Sequence, residues 1–130
     1  NAVLIGSDTS AVSTVAPGTS GNVLKSTGSA WASSAPSGQP DPTLTGVNLS
    51  VTSGTFVVAT AGSITITLPS GPSAGDFVIV KDGTGAAATT SFAVARNGSN
   101  IASAASDLTF DKNFAEITMT YIDGTIGWSV

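Results

Sequence analysis

The side chains able to do acid, base or nucleophilic chemistry are few in this sequence, and they are loosely spaced. There is no histidine and no cysteine, so the commonest general base and the best nucleophile are both missing. Of the eight acidic residues, the closest group is Asp107, Asp111 and Glu116. Glycoside hydrolysis would need two carboxylates across a cleft, whereas three carboxylates flanking one short strand read better as solvated loop charges. A calcium site at the same trio is the lesser reading, because hard cations want many oxygens and the EF-hand spacing is missing. Gly83-Thr84-Gly85 lacks the Lys-Ser/Thr ending of a phosphate loop and reads as a flexible turn. These residues therefore predict no enzyme, no cofactor and no metal site.

Binding residues are equally sparse. Arg96 stands alone in an uncharged strand, just before Asn97-Gly98. It could contact an acidic sugar or partner, but a salt bridge to Asp76, Asp107 or a neighbouring subunit is the favoured reading. Trp31, Tyr121 and Trp128 could stack on sugar rings. Strand register, argued below, assigns Tyr121 and Trp128 to a core face. Trp31 is isolated in the N-terminal segment and reads as an anchor to some surface.

Composition narrows the class. Ser, Thr, Ala and Gly make up more than half of the 130 residues, and only 9% are charged, far below the ~25% usual for soluble proteins. The net charge is −4. The four basic residues (Lys25, Lys81, Arg96 and Lys112) are scattered, so no basic patch awaits phosphates and nucleic-acid binding is not expected. No apolar run approaches the ~20 residues that span a bilayer, so membrane insertion is not expected. The chain begins without Met or a signal peptide, which leaves room for residues upstream of Asn1.

The elements that must position these residues fall into two parts. Residues 1–42 are small, polar and nearly uncharged, with scattered apolar residues that cannot form a core of their own. They end in Pro36-Ser-Gly-Gln-Pro40-Asp-Pro42, which excludes helix and central strand, so this part is expected to be an extended arm and linker. Residues 43–130 read as about eight short strands separated by turn dipeptides, which predicts an all-β, antiparallel β-sandwich, jelly-roll-like head. Asp123-Gly124 suits a two-residue type I′ turn, which pairs Tyr121 with Ile126, Met119 with Trp128 and Ile117 with Val130 on one apolar face. Similar turns at Ser53-Gly54 and Ala61-Gly62 would leave the strand 55–60 apolar on both faces. Either one glycine marks a bulge or longer loop, or another chain covers the second face, and the latter is favoured. Phe77-Val-Ile-Val80 is apolar on both faces in the same way.

Two segments resemble known modules. Thr14-Val-Ala-Pro-Gly-Thr-Ser-Gly-Asn-Val-Leu24, followed by Ser26-Thr-Gly-Ser-Ala-Trp31, resembles a module of tail-fibre and other virion proteins of tailed bacteriophages. Ile66-Thr-Leu-Pro69, Ala74-Gly-Asp76, Val94-Ala-Arg-Asn-Gly-Ser-Asn-Ile101, Asp107-Leu-Thr109, Tyr121-Ile-Asp-Gly and Gly127-Trp128 resemble the β-rich domain that often follows it. The resemblance covers most of the chain and implies a homotrimer with an intertwined stem and a β-sandwich head. It implies no catalytic residues. In such a trimer Val3, Leu4, Ile5, Val12, Val15, Val23 and Leu24 of three arms would bury one another. Trp31, Phe77 and Ile79 would be further interchain anchors, and Arg96 a surface contact. The expected role is a trimeric tail fibre or receptor-binding module on the virion, with the chain itself, other virion proteins and a bacterial surface glycan or protein as partners. The alternative is a capsid decoration or head-fibre protein that stabilises the phage head.

Overall fold

The computed structural model describes residues 3–5, 13–16, 22–26, 30–34 and 38–130. These divide into two compact units, Asn1–Gly38 and Gln39–Val130. Among the described residues every regular element is a strand.

In the first unit, β1 (Val3–Ile5) pairs antiparallel with β2 (Ser13–Val15), setting Val3 opposite Val15. β3 (Val23–Ser26) pairs antiparallel with β4 (Trp31–Ser34), setting Ser26 opposite Trp31. Asn22 Nδ2 donates to Ser33 Oγ at 3.0 Å, beside the open end of this second hairpin. Val12 and residues 35–37 of the proline-rich stretch lie outside the described residues.

The second unit holds two sheets. One contains β5 (Pro42–Thr45), β7 (Thr55–Ala59), β9 (Phe77–Asp82), β12 (Glu116–Tyr121) and β13 (Trp128–Ser129), in the order β13-β12-β9-β7-β5. The other contains β6 (Leu49–Ser50), β8 (Thr65–Thr67), β10 (Phe92–Ala95) and β11 (Leu108–Phe110), in the order β11-β10-β8-β6. From β5 to β10 successive strands alternate between the sheets, so strands two apart lie side by side and parallel: β5 with β7, β7 with β9, β6 with β8, and β8 with β10. Only β10–β11, β9–β12 and β12–β13 are antiparallel.

The expected antiparallel jelly roll is thus corrected to a mixed, two-sheet all-β fold. Ser53-Gly54 and Ala61-Gly62 are not hairpin turns, because each carries the chain from one sheet to the other. Gly54 N–H donates to Phe77 O, on a strand beyond its supposed hairpin. Pro42 opens the edge strand β5, where its missing N–H breaks no ladder. In the sequence Val47, Leu49 and Val51 alternate with Asn48, Ser50 and Thr52, a pattern that predicts one apolar face. Val47 is 69% exposed, because the Thr45 hydroxyl donates to Val47 O and accepts from Val47 N–H, which bends the chain before β6.

The core lies between the sheets. Val57, Ala59, Val78, Val80, Met119 and Trp128 point inward from one sheet, and Ile66, Phe92, Val94 and Phe110 from the other, all buried. Phe92 and Phe110 are directly opposite and stack with ring centroids 4.7 Å apart. Burying each large side chain removes apolar surface worth roughly 1.5–3 kcal/mol from water.

The last hairpin differs from its expected register by two residues. Tyr121 pairs with Trp128 and Thr120 with Ser129, because the loop is longer than Asp123-Gly124. Asp123 Oδ1 accepts the N–H groups of Thr125 and Ile126 at 2.8 and 2.7 Å, and Ile122 N–H donates to Gly127 O. A two-residue shift preserves the faces. Trp128 and Met119 are therefore buried as expected, and Tyr121 meets Trp128 edge-on at 5.6 Å. Ile126 and Val130, expected on the same apolar face, are exposed. At Gly127 the backbone has φ +72° and passes so close to Asn100 that a Cβ would lie 1.9 Å from its carbonyl oxygen. That approach lets Trp128 N–H donate to Asn100 O and Ala102 N–H donate to Trp128 O.

Candidate interaction surfaces

Five carboxylates, Asp76, Asp82, Asp107, Glu116 and Asp123, make structural contacts. Asp82 is fully buried at the end of β9. Its Oδ1 accepts the Thr84 N–H and hydroxyl at 2.8 and 2.7 Å, and its Oδ2 accepts Phe114 N–H at 3.0 Å and Ala87 N–H at 3.4 Å. Burial alone would raise its pKa. The Thr84 hydroxyl and the three backbone donors outweigh burial and hold the carboxyl at about 2. The clip also fixes Phe114 at φ +57°, with its ring over Gly85 and largely exposed.

Asp76 accepts the Ser53 hydroxyl at 2.9 Å and Ser73 N–H at 2.8 Å, and Asp107 accepts Arg96 N–H at 3.0 Å. Asp107, Asp111 and Glu116 were read as free loop charges. Asp107 instead ties the end of β10 to the start of β11. Glu116 faces Lys81 across β9–β12 and makes an ion pair with it at 3.5 Å. The sequence did carry a signal for two of these clips. The triplet Asp-Gly-Thr occurs at 82–84 and again at 123–125, and in both the carboxylate accepts the N–H two residues on, the mark of an Asx-turn.

Arg96 is half-buried at the end of β10. Its guanidinium reaches Ser99 O at 3.5 Å, and its contact with Asp107 runs through its backbone N–H, so neither Asp76 nor Asp107 forms the salt bridge that the sequence favoured. Asn97 at φ +48° and Gly98 at φ +92° make the turn beside it, with Asn97 Nδ2 donating to Leu68 O at 2.9 Å. The arrangement leaves the guanidinium a cation without a carboxylate partner among the described residues, at the same end of the sheets as the 122–127 loop.

The apolar candidates fall on two surfaces, one in each unit. On the β3–β4 hairpin, Val23, Leu24 and Trp31 are each more than 40% exposed. Val15 sits in β2 opposite Val3. On the second unit, strand register defines the outer face of the five-stranded sheet. One row runs Pro42, Phe56, Ile79, Thr118 and the next Leu44, Val58, Lys81, Glu116. Phe77 stands next to Ile79 on the same face of β9. Ile79 is buried by its own chain, Phe56, Val58 and Phe77 are half-buried, and Leu44 is 65% exposed. The sequence had found both faces of β7 and β9 apolar. Leu44 escaped it because β5 has too little alternation to be recognised.

Compared with known proteins, the chain matches no protein-family model and no curated protein.

Proposed function

We propose that this chain is a structural protein of a tailed-bacteriophage virion, assembled as a homotrimer and serving as a tail fibre or receptor-binding module. The observation that carries the reading is the β3–β4 hairpin. Described residues of the segments that resemble the virion module, Asn22 to Leu24, Ser26 and Trp31, belong to this hairpin, and Val23, Leu24 and Trp31 lie in the open on it. A two-stranded hairpin has no interior of its own, so three apolar side chains on one hairpin imply a partner surface. Further copies of the same segment supply one with little like-charge repulsion, since each hairpin carries a single charge, Lys25. Arg96, whose guanidinium has no carboxylate partner among the described residues, is the side chain we assign to contact with an acidic group on the bacterial surface.

Immunogold labelling of purified particles of the encoding phage, with antibody raised against residues 39–130, tests the placement. Label at the fibre tips is the expected result. Label over the head would replace the attachment role with capsid decoration, and particles that carry no label would remove the virion reading altogether.

A further inference from the structure

The outer faces of the two sheets in the second unit differ in chemistry although both belong to the same small sandwich. The four-stranded sheet turns Ser50, Thr65, Thr67, Ala93, Ala95 and Thr109 outward. These are small side chains and hydroxyls that water satisfies. The five-stranded sheet turns outward Pro42, Leu44, Phe56, Val58, Phe77 and Ile79, contiguous across its three parallel strands. Contiguous apolar faces of this kind mark contact surfaces.

The charges on that face identify the occupant. The sheet's second unit carries seven acidic and three basic residues, since Asp8 and Lys25 lie in the first unit and the whole chain has eight and four. Yet the apolar face is bordered by one charge of each sign, Lys81 and Glu116, side by side at 3.5 Å. A cationic or anionic partner finds no net charge to meet there. A surface bearing one apolar field and one adjacent pair of opposite charges is complementary to itself, because about a threefold axis each copy can place its Glu116 near the Lys81 of the next.

We infer that the outer face of the five-stranded sheet, centred on Leu44, Phe56, Val58 and Phe77, is a self-association surface whose occupant is the same face of another copy of this chain. This rests on the reading that the chain meets copies of itself, and adds where on the second unit it does so. Leu44 is the point to probe: it lies on an edge strand, is well exposed, and contributes to no core.

The experiment is sedimentation velocity of the full chain, of Leu44→Glu, and of Thr109→Glu on the opposite outer face, with circular dichroism to show that all three fold alike. The expected result is an associating wild type, an unchanged Thr109→Glu, and a Leu44→Glu whose association is weakened about a hundredfold, beyond what one rim contact gives. An associating wild type that Leu44→Glu leaves unaltered, or that Thr109→Glu disrupts equally, overturns this face and leaves self-association through the hairpin standing. A wild type that stays monomeric up to about 100 μM, a concentration at which even modest interfaces associate, overturns both. If that monomer binds purified virions and Leu44→Glu does not, the occupant is another virion protein and the inference is likewise wrong.

Discussion

At the residue scale, the side chain with the clearest physical consequence is Asp82. Its carboxylate closes the 82–87 turn and holds the backbone of Phe114, 32 positions along the chain, so removing it strands several donors at once. Asp82→Ala should lower unfolding free energy by about 2–4 kcal/mol, the cost of leaving buried partners of a charged acceptor unmade, and urea melts would measure it. The group also imposes a pH dependence of known sign. Its carboxyl is depressed in the fold from 3.8 to about 2, so the folded state binds fewer protons. Its stabilisation is complete above about pH 4 and is lost as pH falls through 4 towards 2. That loss is roughly 2 kcal/mol for the wild type, and Asp82→Asn should lack it over the same window. The sequence held the Asp-Gly-Thr triplets but not the burial of one of them, because burial depends on where residue 114 returns. A second residue-level feature was illegible for the opposite reason. Ala102 and Ser103 occupy the left-handed region (φ +48° and +64°) in the tight turn from Ile101 to Ala104, where Asn-Gly is the residue pair that turn geometry prefers. Ala102→Asn with Ser103→Gly should therefore stabilise by about 1 kcal/mol and raise Tm by about 5 °C, read by calorimetry.

At the element scale, what the sequence disclosed was which segments are strands and which of their faces are inward. The apolar alternation of 92–96, 108–110 and 117–122 marks strands close to β10, β11 and β12 as they stand. Pairing was less legible. Alternation reports only a period of two, so it survives any even shift, and the β12–β13 ladder moved by two residues while Trp128 and Met119 stayed buried. Nor does alternation distinguish a turn that folds a strand back from one that carries it to the opposite sheet. Ser53-Gly54 and Ala61-Gly62 serve the second purpose with residues suited to the first. The informative sign was the two-sided apolar character of 55–59, which no hairpin accommodates without a bulge and which β7 resolves by lying between β5 and β9 with one face in the core. The element most dependent on one residue is the docking of the 122–128 segment on Asn100–Ser103. Gly127→Ala places a methyl against Asn100 O at a positive φ, and should cost more than about 2 kcal/mol from backbone strain and lost hydrogen bonds. Hydrogen exchange would show the loss as selective deprotection of Ala102 and Trp128 amides, whose bonds cross this junction.

At the scale of the whole molecule, the two units have unequal means of support. Gln39–Val130 closes a core of fifteen buried apolar residues between two sheets, and among the described residues these side chains all come from Val51 onward. Its folding should therefore need none of the first 38 residues. The first unit offers two hairpins, and the second of them exposes its largest apolar side chains. Isolated two-stranded hairpins are at best marginally stable in water. Truncation separates the two cases. The fragment 39–130 should unfold in a single cooperative transition with a Tm within about 3 °C of the full chain, a difference smaller than 1 kcal/mol of stability would make in a domain of this size. A peptide of residues 1–38 should show no such transition when dilute. It should gain β-structure as its concentration rises, because the apolar surface of Val23, Leu24 and Trp31 can then be covered by other copies. Concentration-dependent circular dichroism of the peptide is the measurement. A peptide that folds equally well at every concentration would mean that the arm is self-sufficient, and the exposed hairpin would lose its standing as a reason for assembly.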